Sequence, residues 1–268
     1  MTLPSKIRRR PIIQLAERGL RVDGRKFDEY REISIETGII NRAEGSAKVS
    51  IGHTQVLVGV KAEIGEPFPD TPDKGVLIVN AELVPLASPT FEPGPPDENA
   101  IELARIVDRG LRESEAIPFE ELCIIPSKKV WMLFVDIYVM DHDGNFIDAS
   151  AIGALAALMT TELPKVEIGN NDEVTIIEEE KKLLELRDMP IAVTFAKIGK
   201  HLLIDPCLDE EDTMDARLTI TMTKDDNICA VQKGKGELTI EDLYTAIDIC
   251  KIKSKKIRKK VEDACKKN

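Results

Sequence analysis

Hydrophobic and polar residues follow two different periods along this chain, one typical of strands and one typical of helices. Short runs rich in β-branched residues, such as residues 49–51, 55–60 and 76–83, predict strands in the first third of the chain. A proline-dense stretch at residues 85–96 follows. It predicts a shaped connection that is neither helix nor inner strand, because proline fixes its own backbone angle and donates no hydrogen bond.

Helical spacing begins directly after this connection. Asp97 is a capping residue, and the pattern predicts a helix over residues 98–112. A strand over residues 130–140 leads to a second, alanine-rich helix predicted at about residues 148–163. Four further strands are predicted at residues 191–195, 202–205, 216–223 and 227–232. Near the C-terminus, Thr239 with Asp242 three residues later predicts the start of a closing helix.

The order of these elements predicts an α+β fold built of two related halves, each with strands first and helices last. We divide the chain into an N-terminal basic arm or helix at 1–20, a first half at 21–165, an acidic linker at 166–187 and a second half at 188–268, which ends in the C-terminal helix. Lys6 and Arg8–Arg10 open the chain, and lysines dominate residues 251–267. We favour solvated helix faces for both basic ends.

The composition indicates a globular protein with an aliphatic core. Of the 268 residues, 43% are hydrophobic but only 4% are aromatic. The five cysteines are scattered and form no C-x-x-C pair, so we expect reduced thiols and no zinc or redox centre. No apolar run approaches the roughly eighteen residues of a membrane span, and we expect a cytoplasmic protein without membrane contact.

The charge limits how the chain could contact nucleic acid. The formal net charge is −11, which argues against a protein that coats nucleic acid non-specifically, because such binding depends on neutralisation of phosphates by lysine and arginine. Any contact with RNA must therefore be local.

One local cluster of arginines lies on the helix predicted at 98–112. Arg105, Arg109 and Arg112 are spaced by four and three residues, so they fall within about 60° of one another on one face. Arginine suits phosphate binding through its planar fork of donors. The spacing equally allows ordinary surface pairing of Glu102 with Arg105 and of Asp108 with Arg112, and spacing alone favours that alternative.

Several motifs resemble those of a known family. The sequence RVDGR at residues 21–25 resembles the R-x-D-G-R opening of the RNase PH superfamily, and residues 43–49 resemble the strand that follows it. The longer stretch at residues 65–99 resembles, more specifically, the non-catalytic RNase PH-like ring subunit of the archaeal exosome. The similarity extends from about residue 21 to the C-terminus.

The resemblance implies an RNase PH-like fold of the ribosomal protein S5 domain 2-like kind, and it implies an assembly. The chain would pair with a catalytic RNase PH-like subunit, and three such pairs would close a six-membered ring around an RNA channel, with RNA-binding cap proteins on one face. Arginines on the helix after the proline-rich loop help to hold single-stranded RNA in the family. By motif these fall on Arg105 and Arg109, with Arg112 next on the same stripe.

The chain departs from its catalytic relatives at the phosphate site. Those relatives open the second helix with a D-x-G-[ST]-R motif, whose amides, hydroxyl and arginine bind phosphate. This chain reads DASAI at residues 148–152, so Ser150 keeps a hydroxyl but the glycine and the arginine are missing. We therefore predict no catalytic residue.

The acidic site of the relatives is also changed. Asp205, Glu211 and Asp212 remain, but Arg217 stands where the relatives have a final aspartate. We favour a solvated acidic loop for residues 205–217, with a weak or structural metal site as the alternative, and we predict no metal ligand and no cofactor.

Three functions stay open at this point. The favoured one is a non-catalytic exosome subunit that helps bind RNA and structures the partner's active site in 3′-to-5′ RNA degradation. The alternatives are a free-standing phosphate-dependent 3′ exoribonuclease and an interaction protein without RNA contact.

Overall fold

The structure, a computed structural model, describes residues 3–266, apart from the side chains of residues 3–8 and 171. The side chains of Lys6, Arg8 and Lys267, part of the two predicted basic ends, thus lie outside the described residues. The elements are α1 (Leu3–Glu17), β1 (Ile33–Thr37), β2 (Gly45–Ile51), β3 (Thr54–Gly65), β4 (Val76–Leu83), α2 (Glu98–Glu113), β5 (Cys123–Ile125), β6 (Lys129–Asp141), α3 (Phe146–Met159), β7 (Glu162–Ile168), β8 (Val174–Leu183), β9 (Ile191–Ile198), β10 (His201–Ile204), α4 (Leu208–Thr213), β11 (Ala216–Met222), β12 (Ile228–Lys233) and α5 (Ile240–Cys265).

The first half is built on a six-stranded sheet. Its order is β1-β2-β3-β6-β4, and β5 pairs with β6. All pairs are antiparallel except β4 with β6, which run parallel because α2 carries the chain back across the sheet between them. The second half is an antiparallel sheet of order β10-β9-β11-β12, closed by α5. The predicted α+β fold is confirmed.

Helix α3 joins the two sheets into one core. It packs against β2 and β3 of the first sheet and against β9 of the second. Eleven of its 14 residues are buried, as expected for a helix that is apolar on all sides. The small side chains of its alanines and of Gly153 allow this close approach. A Cβ at Gly153 would lie 2.8 Å from a methyl carbon of Val58.

This contact predicts the effect of a larger side chain in α3. Gly153→Leu should lower the free energy of unfolding by about 1–3 kcal/mol, because the added carbons overpack the interface with β3. Thermal unfolding measures the destabilisation. Gly169→Leu is the matched control, since a Cβ there meets its nearest atom at 3.6 Å. Equal unfolding temperatures for the two variants would contradict the tight packing of α3.

The bounds of α3 differ from the predicted 148–163. The helix begins earlier because Asn145, at a φ of 54°, caps it by accepting from the amide of Asp148. It ends at Met159 because the hydroxyls of Thr160 and Thr161 bond back to carbonyls of the last turn. The next residues enter β7.

The segment predicted as an acidic linker at 166–187 is largely a β-hairpin. The end of β7 and all of β8 pair antiparallel as a separate two-stranded sheet. Its acidic side chains lie on exposed strand positions, and Lys165 contacts Glu180 across the hairpin at 2.7 Å. β8 was not predicted because its β-branched residues, 174–177, are followed by a run of charged residues. The domain limits themselves stay a prediction.

The predicted N-terminal arm contains α1, which packs on the second half. Ile12 and Ala16 are buried against Ile198 and Leu203. No helix in residues 3–266 is long and apolar enough to cross a membrane.

Candidate nucleic-acid interface

Helix α2 presents the arginine stripe on its exposed face. Asp97 caps the helix as predicted, since its carboxylate accepts from the amide of Ala100 at 2.8 Å. The opposite face packs against β4, α3 and β12. It buries Leu103, Ile106, Val107 and Leu111. Because that face is fixed, the stripe of Arg105, Arg109 and Arg112 points outward.

Arg105 is exposed and makes no hydrogen bond or ion pair within the described part of the chain. The expected pairing with Glu102 is wrong, because Glu102 bonds instead to partners from β11 and β12. Oε1 accepts from Gln232 at 3.0 Å, and Oε2 accepts from Arg217 at 2.6 Å. Arg105 therefore carries a charge that no described side chain neutralises.

The other two arginines of the stripe differ in how far they are engaged. Arg109 donates to the amide oxygen of Gln232 at 2.6 Å, a neutral partner. Arg112 forms the predicted i,i+4 pair with Asp108 at 2.7 Å, donates to the carbonyl of Leu77, and lies 5.7 Å from the ring centre of Phe119. Arg105 and Arg109 are thus the available phosphate ligands, and Arg112 is the least available.

Glu102 remains ionised in this setting. Burial raises the pKa of Glu102. The hydrogen bond and charge of Arg217, with the hydrogen bond from Gln232, lower it by more, so the pKa of Glu102 falls below its ordinary value. Arg217 is itself mostly buried, with 17% of its side chain exposed.

The opening of α3, where the sequence resemblance placed the phosphate site of the catalytic relatives, is closed in this chain. Asp148 is fully buried and accepts from Tyr30, Asn145 and Thr194. Burial raises the pKa of Asp148 to about 6. Ser150 and Ile152 are also buried, and the Ser150 hydroxyl has no partner among the described residues. The Ser150 hydroxyl therefore cannot reach an external phosphate.

The carboxylate of Glu211 occupies the entrance to the same helix. It accepts from the backbone amide of Asn145 at 2.8 Å. An acceptor at this amide removes one donor that would otherwise serve an anion. Burial raises the pKa of Glu211 to about 7, although Asn145 and Arg217 oppose the shift.

The prediction of a solvated acidic loop at 205–217 is wrong, because its residues are structured and its first carboxylate is buried. Asp205 accepts from Arg25, Arg31 and Asn145 at 2.8 Å. Burial raises the pKa of Asp205, but the hydrogen bonds and charge of Arg31, with the hydrogen bond from Asn145, keep it below its ordinary value. Residues 208–213 form α4, which sequence patterns did not predict.

The alternative of a metal site for these carboxylates has no support in the geometry. Among the described residues, no three His, Cys, Asp or Glu side chains are grouped so as to hold a metal ion. The oxygens of Asp205 that could ligate a cation face guanidinium and amide donors instead.

A cleft of about 710 Å³ is lined by Glu102 of α2 and by its partner Arg217. Its other walls come from the loop before α2, the turn before α3 and the first residue of α3, α4, the start of β11, and the end of β12 with the turn that follows. Gln232 belongs to this site through its hydrogen bond with Arg109. The sequence could not predict this role, because the two residues lie 123 positions apart in the chain. Lys233 and Lys235 are exposed at the rim of the cleft.

Comparisons with known proteins agree over almost the whole chain. Domain 1 of the 3′ exoribonuclease family (RNase PH) matches residues 29–164, and domain 2 matches residues 188–252. The chain is 52% identical over 263 residues to exosome complex component Rrp42 of Methanopyrus kandleri, covering 98% of each chain. It is 53% identical over 262 residues to Rrp42 of Thermococcus kodakarensis, covering 97% and 96% of the two chains.

Solved structures give the same result. A chain of the Archaeoglobus fulgidus exosome with RNA bound to the active site superposes with a TM-score of 0.89 at 49% identity, covering 97% of this chain and 99% of that one. An archaeal exosome core chain gives a TM-score of 0.86 at 44% identity, covering 97% and 98%. The predicted family and fold are confirmed, and this chain belongs to the 3′ exoribonuclease family of RNase PH.

Proposed function

We propose that this chain is a non-catalytic ring subunit of an archaeal exosome that acts in 3′-to-5′ RNA degradation in the cytoplasm. It pairs with a catalytic RNase PH-like subunit, three pairs close the ring, and RNA-binding cap proteins bind one face. The proposal is supported by relatives named exosome complex component Rrp42, which match this chain over nearly their whole length.

The observation that carries the non-catalytic role is that the N-terminus of α3 is buried and already hydrogen-bonded within the chain. Phosphorolysis needs a bound inorganic phosphate, and a phosphate needs exposed amides, a hydroxyl or a cation. Here Ser150 and Ile152 are buried, and the carboxylate of Glu211 holds the amide of Asn145. Arg217 stands where the catalytic relatives have a final aspartate. Its charge is paired with Glu102, so it is not available to a phosphate.

The RNA-binding role rests on the two available arginines of α2. Arg105 has no described partner, and Arg109 bonds only to a neutral amide, so both can donate to phosphate oxygens. In the proposed ring they hold single-stranded RNA next to the partner's active site, which this chain also buttresses.

The test measures release of nucleoside diphosphates from a 3′-tailed RNA in the presence of inorganic phosphate. We expect no release by this chain alone, and more release by the mixture with its catalytic partner than by the partner alone. A reaction without phosphate is the control. Phosphate-dependent release by this chain alone would instead establish the free-standing exoribonuclease, and a mixture no faster than the partner would exclude a role in building the site.

A further inference from the structure

Four side chains form a continuous hydrogen-bonded chain from the buried part of the cleft to the arginine stripe. The Nη2 of Arg217 donates to Oε2 of Glu102 at 2.6 Å. Oε1 of Glu102 accepts from the amide nitrogen of Gln232 at 3.0 Å, and the amide oxygen of Gln232 accepts from Nη2 of Arg109 at 2.6 Å.

We infer that Arg217, Glu102 and Gln232 are positioning residues that hold Arg109 in its RNA-binding orientation and keep Arg105 free for RNA. The inference rests on the proposed function, because it assigns a role within that same RNA site. It also assigns a role to Arg217, which stands where the catalytic relatives have an aspartate.

The direction of the Gln232 amide follows from its two neighbours. A carboxylate only accepts hydrogen bonds, so Glu102 requires the amide nitrogen on its side. The amide oxygen must then face Arg109 and accept from it. Because this acceptor is neutral, Arg109 is held in place without losing its charge, whereas the charge of Arg112 is paired with that of Asp108. The remaining guanidinium donors of Arg109 are left for phosphate.

The sheet fixes two members of this chain of hydrogen bonds, Arg217 and Gln232, relative to each other. Gln232 on β12 lies directly opposite Thr219 on β11, and Arg217 is two residues before Thr219. Arg217 and Gln232 are therefore diagonal neighbours on one face of the sheet, the face against which α2 packs. Gly234 covers Arg217 closely, since a Cβ at Gly234 would lie 3.2 Å from its Cβ and Nε.

Arg217 also determines what Glu102 can neutralise. Glu102 and Arg105 are three residues apart on α2, a spacing that normally allows an ion pair. In the structure Glu102 forms its ion pair with Arg217 at 2.6 Å, and Arg105 stays unpaired. Without Arg217, the freed carboxylate would be available to Arg105 and would cancel its charge.

The test uses the ring reconstituted with its catalytic partner and a fluorescent single-stranded RNA, with affinity read by anisotropy. Gln232→Met should weaken RNA binding about three- to tenfold, a factor that corresponds to the net contribution of one typical hydrogen bond. In the Arg109→Ala background the same change should have no further effect. Arg217→Met should weaken binding at least as much, and adding Glu102→Gln should restore part of the affinity by freeing Arg105.

Lys233→Met is the matched control, because it removes one positive charge, as Arg217→Met does, from an exposed neighbour of Gln232 outside the hydrogen-bonded chain. Its effect should add to that of Arg109→Ala. The inference is overturned if the Gln232 and Arg217 variants bind RNA normally, if the effect of Gln232→Met adds to that of Arg109→Ala, or if Glu102→Gln restores none of the affinity lost in Arg217→Met. Normal RNA binding by Arg109→Ala itself would overturn the proposed RNA site instead. Thermal unfolding identifies any variant that fails to fold, and Gln232→Met then serves alone.

Discussion

Arg21→Met should lower the free energy of unfolding by about 3–5 kcal/mol, the cost of leaving one member of a buried ion pair without its partner. Arg21 and Glu210 have 0% and 1% of their side chains exposed, and Arg21 donates to both oxygens of that carboxylate. Arg21 also donates to the carbonyls of Ile204 and Asp205. The substitution leaves a buried charge and two buried carbonyls without these donors.

Urea denaturation measures this destabilisation as a lower midpoint with an unchanged slope. Arg9→Met is the control, because Arg9 pairs with Asp215 at 2.6 Å but the two side chains are 40% and 36% exposed. An exposed pair contributes at most about 1 kcal/mol. Comparable destabilisation of the two variants would show that burial of the Arg21–Glu210 pair does not matter to stability.

This pair explains why the RVDGR motif pointed to a family but not to a structural role. Arg21 and its partner Glu210 lie 189 residues apart, and Arg25 and Asp205 lie 180 residues apart. Sequence spacing identifies neighbours within one helix or strand, so it could not reveal contacts between the first residues of one half and the second half. The same contacts bury the carboxylates that the sequence suggested were solvated.

Elements with a strong local signal were predictable. The capped helix α2 and the capping box of α5 at Thr239 and Asp242 lie where the sequence places them. The strands β3 and β6 show period-two burial, and β4 was predicted from its run of apolar and β-branched residues. α4 was missed because its six residues are mostly acidic and are held by long-range partners rather than by helical periodicity.

The candidate site was predictable in position but not in detail. Helical geometry alone placed Arg105, Arg109 and Arg112 on one face, and the i,i+4 pair of Asp108 with Arg112 formed as expected. The i,i+3 pair of Glu102 with Arg105 did not form, because tertiary partners from β11 and β12 compete for the same carboxylate. That competition decides which arginines remain available to RNA.

Reversing the charge of both available arginines should have the largest effect on RNA binding. Arg105→Glu with Arg109→Glu should weaken the affinity of the reconstituted ring for single-stranded RNA on the order of a hundredfold, because two cations that attract phosphate are replaced by anions that repel it. The dependence of affinity on salt should also become shallower, by about 0.7 for each phosphate that is no longer neutralised on a single strand. Anisotropy titrations at several salt concentrations measure both quantities.

Lys256→Glu with Lys259→Glu on α5 is the matched control, because it makes the same change in net charge at two exposed lysines outside the stripe. We expect this control to retain most of the RNA affinity. Equal weakening in the two double variants would mean that only the overall charge matters and that α2 is no specific site. Failure of ring assembly with unchanged RNA affinity would assign the arginines to subunit pairing, which is the interaction-protein alternative.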